Sequence, residues 1–279
     1  MDKQTRTERF FINDYPLDLL IEGPTTFGQN CILLHEDDDL TRDTNWANKG
    51  YLVLPLPQNF DLTGLMQRVT DIVKQTLFEA GAASLDGFTL ENYHLYVGGN
   101  ERIHLNVAKR LSRGLSLDQL PFHYSQLDDI SSNACGVKVS CSHEDKISAN
   151  RFCIRLVRPK SKTDYNPPHK DVWLDRLTGA LNMYLPLAGS NSKSSLPILP
   201  GSQFWKESAI ERTAEGAKVN GATYSVPCVV GGKEPMQLIR PEVATGEAMF
   251  FTPHLIHGGG ANQNEATTRV SLEMRFWRV

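Results

Sequence analysis

The chain of 279 residues is long enough for one large domain or two small ones. Its 40% hydrophobic and 22% charged residues exclude wholesale disorder. A net charge of −3 gives no general electrostatic reason to bind nucleic acid or an anionic membrane.

The five cysteines (Cys31, Cys135, Cys141, Cys153, Cys228) form no C-x-x-C pair and are odd in number, which disfavours a disulfide framework or a cysteine zinc site and fits a reducing compartment. Residues 1–10 are polar and charged, without the apolar core of a signal peptide. No uncharged apolar run reaches the ~18 residues of a membrane span. A soluble, cytoplasmic protein with a small-molecule partner is expected; nothing in the sequence speaks to oligomeric state.

In chain order, residues 1 to about 48 read as irregular, with a Gly23-Pro24 turn and an acidic run over 36–39 that suits a solvated loop. Residues 51–54 form a short apolar strand ended by Pro55 and Pro57. Over 61–80, Leu62, Leu65, Met66, Val69, Ile72, Val73 and Leu77 recur at helical spacing, with Asp61 as cap and Gly81 as stop. Residues 82–145 read as loops with one short helix around 101–111. From about 150 the texture changes to apolar, β-branched stretches at 152–157, 181–187, 248–251 and 270–276. Pro167-Pro168, Pro200-Gly201, Gly231-Gly232 and Gly258-Gly259-Gly260 separate them as turns. Short strands without alternating helices point to a sandwich or barrel. No linker intervenes, so one domain over 1–279 is expected, helical and irregular to 150 and a β core from about 150 to 279.

Three residues stand out for chemistry. His169 and Asp171 are two apart, so an extended segment projects both to one face. His257 from a distant strand can complete the set: two imidazoles and one carboxylate are the facial triad of non-haem Fe(II) sites, which leaves open positions for substrates. Taken alone, the H-x-D pair reads equally as a polar loop after Pro167-Pro168, and His254 competes with His257 as the third ligand. Twelve residues after His257, Arg269 begins a strand whose Val270, Leu272, Met274 and Phe276 alternate with Arg269, Ser271, Glu273 and Arg275. There a guanidinium can hold a carboxylate by two parallel hydrogen bonds, with the Ser271 hydroxyl on the same face. The competing reading is a surface arginine paired with Glu273. Tyr165 and Trp173 flank the motif as candidate substrate contacts, with strand packing as their alternative. Arg155 and Arg158 precede it, facing either an anionic substrate or solvent. The histidines His35, His94, His104, His123 and His143 lack ligand spacing and read as surface or core residues.

The set His169-x-Asp171, His257 and Arg269-x-Ser271 resembles the Fe(II)- and 2-oxoglutarate-dependent dioxygenases, and within them the phytanoyl-CoA dioxygenase-like branch. Local matches are Gly50-Tyr51-Leu52-Val53-Leu54, Leu199-Pro200-Gly201-Ser202, and Gly246-Glu247 with His257-Gly258. The resemblance implies a mostly β fold with flanking helices around a double-stranded β-helix (jelly-roll, cupin-like) core. It implies Fe(II) on His169, Asp171 and His257, with 2-oxoglutarate on the iron and its distal carboxylate on Arg269 and Ser271. Asn182 matches an amide that binds the co-substrate, or pairs with neighbouring backbone. The implied reaction uses O2 and decarboxylates 2-oxoglutarate to succinate while hydroxylating an unactivated C–H bond of a small polar metabolite. Two departures are Gln203 where the family has His, and Glu247 for the commoner Asp. The alternative is a non-oxygenase jelly roll, a cupin-type isomerase or a sugar-binding module.

Overall fold

In the computed structural model, which describes residues 5–35, 37–233, 236–258 and 260–279, the chain begins with a hairpin rather than the irregular stretch expected. The first four of the polar N-terminal residues, Glu36 of the acidic run and Gly259 of the glycine turn lie outside the described residues. Strands β1 (Thr5–Ile12) and β2 (Tyr15–Glu22) are joined through Asn13 and Asp14, both at positive φ (44° and 68°), as a type I′ turn requires. Phe10 and Ile12 on β1, and Leu17, Leu19 and Ile21 on β2, alternate inward and are buried. That alternation about an Asn-Asp pair was a readable hairpin signal. A short β3 (Thr25–Phe27) follows.

β4 (Tyr51–Pro55) and helix α1 (Leu62–Glu79) lie where the sequence placed them. The Asp61 carboxylate accepts from the Gly64 N–H at 2.8 Å, and Gly81 ends the helix at φ 97°. Leu65, Val69, Ile72, Val73 and Leu77 are buried, at about 1.5–3 kcal/mol each. Next come α2 (Tyr93–Val97), the expected α3 (Glu101–Ser112), β5 (Leu115–Ser116), α4 (Ser125–Cys135) and β6 (Val139–Ser140). α4 escaped notice because Leu127, Ile130 and Ala134 are set among Asp, Ser and Asn, which favour turns.

The remaining strands are β7 (Arg151–Val157), β8 (Ala180–Ala188), β9 (Ile198–Leu199), β10 (Ile210–Thr213), β11 (Lys218–Val219), β12 (Val229–Gly232) and β13 (Gln237–Leu238). They end with β14 (Glu247–Phe251), β15 (Ile256–His257) and β16 (Arg269–Arg278). Gly231-Gly232, expected as a turn, closes β12 instead. Seven strands among the described residues form the main sheet, in the order β4-β14-β8-β16-β7-β5 with β6 also on β16. β4 pairs with β14, so the sheets ignore the boundary drawn at residue 150.

The two faces of this sheet differ sharply. Ile154, Leu156, Leu181, Met183, Leu185, Val270, Leu272, Met274 and Phe276 join one apolar cluster with Leu65, Val69 and Val73 of α1 and Val107 and Leu111 of α3. The other face carries Arg155, Asn182, Tyr184, Arg269, Ser271, Glu273 and Arg275, with Arg275 opposite Asn182, Glu273 opposite Tyr184 and Ser271 opposite Arg155. A second layer covers it. Strands β11-β2-β1-β13 continue through an Ile239–Ile198 bridge onto β9 and β15, ending in a His257–His169 bridge. Tyr184, Met249 and Phe251 of the main sheet pack with Ile198 and Leu255 of the second. The fold is thus mostly β, a jelly roll with helices on the outer face of its main sheet. No described helix is long and apolar enough to cross a membrane.

Candidate metal and co-substrate site

The segments holding His169 and His257 meet as an antiparallel bridge, each N–H donating to the other's carbonyl at 2.9 and 3.0 Å. Asp171 opens a single 3-10 turn, Asp171–Trp173, on the same side. Its Oδ1 lies 3.3 Å from His169 Nε2 and 3.7 Å from His257 Nε2, and one ligand atom from each residue falls within 4.8 Å of the others. The Nδ1 atoms of His169 and His257 each sit 2.9 Å from a backbone carbonyl, of Pro167 and Leu255. Donation there fixes the tautomer and leaves Nε2 with its lone pair facing Asp171. Burial, with the neighbouring His169 ring, lowers the His257 pKa to about 4, so its imidazole is neutral near pH 7. Burial opposes the charge on Asp171, but the Arg275 guanidinium overrides it and holds the carboxyl well below the usual range. A neutral imidazole and an ionised carboxylate are the forms that bind a divalent metal.

The support around this cluster is specific. Asp171 Oδ2 accepts from Arg275 Nη2 at 3.2 Å and from Asn182 Nδ2 at 3.1 Å, which leaves Oδ1 for a metal. Lys170, between the paired residues, points the opposite way to Glu207, 2.9 Å from Nζ, and Glu207 also takes Arg212 and the Trp173 indole. Gly258 has φ 113°, and a Cβ there would meet Pro167 O at 2.9 Å and His169 Nδ1 at 3.0 Å. Only glycine lets the strand after His257 pass this close. Arg275 was missed as a site residue. Its signal was present, because it shares the polar face of a strand that proves to be interior.

His254, the competing histidine, is buried but stands outside the cluster, and neither ring nitrogen has a hydrogen-bond partner among the described residues. Burial, helped by Lys170 and His35, lowers its pKa to about 3. The unfolded chain therefore takes up a proton below about pH 6.5 that the folded ring refuses, so stability present above that pH falls as the pH drops. His254→Phe is expected to retain wild-type metal content and to lose less stability between about pH 7 and pH 5, by ~1.4 kcal/mol per pH unit. Urea unfolding at the two pH values and metal analysis check both. Loss of metal from this variant, with His257→Ala keeping it, would reverse the choice of third ligand.

Beside the cluster lies a narrow cavity of about 30 Å³, lined by His169, Asn182, Tyr184, Phe251, His257 and Arg269. The Arg269 side chain is 0% exposed, yet none of its guanidinium nitrogens has a hydrogen-bond partner among the described residues. Its charge sits 5.6 Å from the centre of the Tyr184 ring. Glu273, the alternative partner, is taken by Arg155 at 2.9 Å. Ser271 is buried on the same face, but its hydroxyl turns to Glu273 Oε1 at 3.5 Å, drawn by a carboxylate two residues along. The Asn182 amide, expected to serve a co-substrate, donates to Asp171 while its Oδ1 stays unpartnered among the described residues.

Both candidate substrate aromatics lie elsewhere. Trp173 follows the turn to the opposite side and lines a separate cavity of about 740 Å³, its indole held by Glu207 and stacked under Arg212. Tyr165 packs on the core of the second sheet, and its carbonyl accepts from the Tyr224 hydroxyl at 3.1 Å. Arg158 meets neither substrate nor bulk solvent: it pairs with Asp164 at 2.7 Å and Glu101 at 3.0 Å. His104, 3.1 Å from Asp164, is a satisfied core histidine. Gln203, where the resembled family has His, donates to the Ala47 and Asn48 carbonyls at 2.9 and 3.2 Å and so secures the chain entering β4.

No protein-family model and no curated protein matches the sequence. Several solved structures are similar to the chain. EvdMO1 is 14% identical with a TM-score of 0.47, over 84% of this chain and 48% of that one, so the chain spans about half its length. The epimerase SnoN from nogalamycin biosynthesis, solved with Fe3+, alpha ketoglutarate and nogalamycin RO, is 13% identical with a TM-score of 0.43, over 84% of this chain and 80% of that one. EctD from S. alaskensis, solved with 2-oxoglutarate and 5-hydroxyectoine, is 12% identical with a TM-score of 0.45, over 92% of this chain and 84% of that one. At these values the likeness assigns no residue of this chain a role.

Proposed function

We propose that the chain is a cytoplasmic Fe(II)- and 2-oxoglutarate-dependent oxygenase of the phytanoyl-CoA dioxygenase-like kind, acting as one domain over residues 1–279. In this reading it hydroxylates an unactivated C–H bond of a small polar metabolite. One observation carries it: three ligand atoms from His169, Asp171 and His257 converge within 4.8 Å beside a buried guanidinium that makes no hydrogen bond among the described residues. A buried unpaired charge is expensive, so a fold that keeps one is built for an anion. A non-oxygenase jelly roll has no use for it.

The donor set fits the group: two imidazoles and a carboxylate suit Fe(II) and leave positions open. Iron with 2-oxoglutarate and O2 supplies the oxidative chemistry, succinate and CO2 being the co-product of the diacid. The protein's residues do the rest. His169, Asp171 and His257 hold the metal; Pro167 O and Leu255 O keep both rings in the Nδ1–H form; Arg275 and Asn182 aim one carboxylate oxygen. Arg269 holds the distal carboxylate of the co-substrate. The second layer covers the polar face and keeps bulk water from the reacting centre. The test is succinate formation from 2-oxoglutarate by the purified chain with and without Fe(II) under air. Iron-dependent succinate is expected; none above a metal-free control overturns the reading.

A further inference from the structure

Outward from the cluster, His169, Asp171, Arg155, Glu273 and Arg275 also line a second cavity of about 370 Å³. Its walls have a strong charge bias. Five arginines line it, Arg113, Arg151, Arg155, Arg176 and Arg275, against two carboxylates, Asp171 and Glu273. Both carboxylates are committed, Glu273 to Arg155 at 2.9 Å and Asp171 to Arg275 at 3.2 Å. The other three guanidiniums have no carboxylate partner among the described residues. Arg151 reaches only the carbonyls of Ala149 and Arg113, at 3.4 and 3.5 Å.

These three come from separate parts of the chain. Arg113 ends α3, Arg151 opens β7, and Arg176 lies in the short 3-10 turn Asp175–Leu177 that follows Asp171. All three are exposed at the rim, while Arg155 and Arg275 lie deeper. Bringing like charges to one cavity costs self-repulsion, and the two carboxylates there are already paired. The same arrangement suits an oxyanion, which a planar guanidinium grips by paired hydrogen bonds. Arg269 reads the co-substrate from a different cavity, so the rim arginines are free for another ligand.

We propose that this cavity takes a small organic oxyanion, a phosphate ester or polycarboxylate, docked on Arg113, Arg151 and Arg176 with its carbon skeleton directed to the His169–Asp171 floor. As a statement about substrate it rests on the oxygenase reading; as an anion site it stands by itself. The full chain, loaded anaerobically with Fe(II) and 2-oxoglutarate, is titrated calorimetrically with inorganic phosphate and separately with tricarballylate. At least one probe should bind at about one per chain, weaken with added salt, and lose ~10-fold or more in the Arg113→Gln/Arg151→Gln/Arg176→Gln variant. The tighter probe identifies phosphate or carboxylate. Anion binding to the metal itself would be unmoved by these substitutions, and circular dichroism with the single variant Arg176→Glu guards against misfolding. Equal binding by wild type and variants, or none by wild type at millimolar probe, overturns the proposal. If the chain takes up no Fe(II), the metal-free protein is titrated: arginine-dependent binding then upholds the anion site while the oxygenase reading fails.

Discussion

Asp171→Ala is expected to abolish iron-dependent succinate formation while leaving the fold intact. Asp171 contributes the single carboxylate of the cluster, and its Oδ1 is the atom nearest both Nε2 atoms, at 3.3 and 3.7 Å. Truncation removes one of three ligands and the negative charge that balances a divalent ion. It also frees Arg275, now paired with Oδ2 at 3.2 Å, to face the metal as an unneutralised cation. Metal affinity should therefore fall by more than the ~10–100-fold typical of losing an outer-shell partner. Two assays check this: metal content after reconstitution and gel filtration, and succinate yield without added substrate. His169→Ala and His257→Ala should behave alike. Asp171→Gly should respond at most slightly to formate, which restores the lost charge without the tether. Near-normal succinate from the alanine variant would remove Asp171 from the metal site.

Arg269→Ala is expected to weaken 2-oxoglutarate binding by ~2–5 kcal/mol, the range for truncating one partner of a desolvated charge pair, with little change in Fe(II) affinity. The neighbouring arginines are engaged: Arg155 with Glu273 at 2.9 Å, Arg275 with Asp171 at 3.2 Å, and Arg240, whose pKa burial and the Arg269 charge lower to about 9, with the carbonyls of Ser195 and Ala261. A second readout follows from the same physics. In the absence of co-substrate the buried guanidinium is a liability, so Arg269→Met should unfold at a higher urea concentration than wild type while losing the stabilisation that 2-oxoglutarate confers. Equal 2-oxoglutarate affinity in wild type and Arg269→Ala would detach this arginine from the co-substrate and weaken the enzyme class with it.

Local physics in the sequence alone determined a good part of this. The apolar period over 62–77 with Asp61 at its start specifies α1, because capping and one-sided burial act within a single segment. Alternation from Arg269 to Phe276 specifies β16 and tells which side chains share a face. The spacing of His169 and Asp171 puts them side by side, and the Asn13-Asp14 pair with its flanking alternation specifies a hairpin.

Tertiary structure decided what those faces meet. A polar strand face ordinarily looks to water, and only the second layer turns Arg269, Ser271, Glu273 and Arg275 into the lining of an interior. Burial then changes their chemistry: in low dielectric each charge needs a partner, so Glu273 goes to Arg155, Arg275 goes to Asp171, and Arg269 is left without a hydrogen-bond partner among the described residues. The choice of His257 over His254 is likewise a matter of the pairing between β9 and β15, which sets one imidazole against Asp171 and buries the other apart. Trp173 and Tyr165 sit close to the motif in sequence but look elsewhere, since a turn reverses the first and the second sheet claims the other. Periodicity fixes direction relative to the backbone; only long-range pairing fixes what lies in that direction.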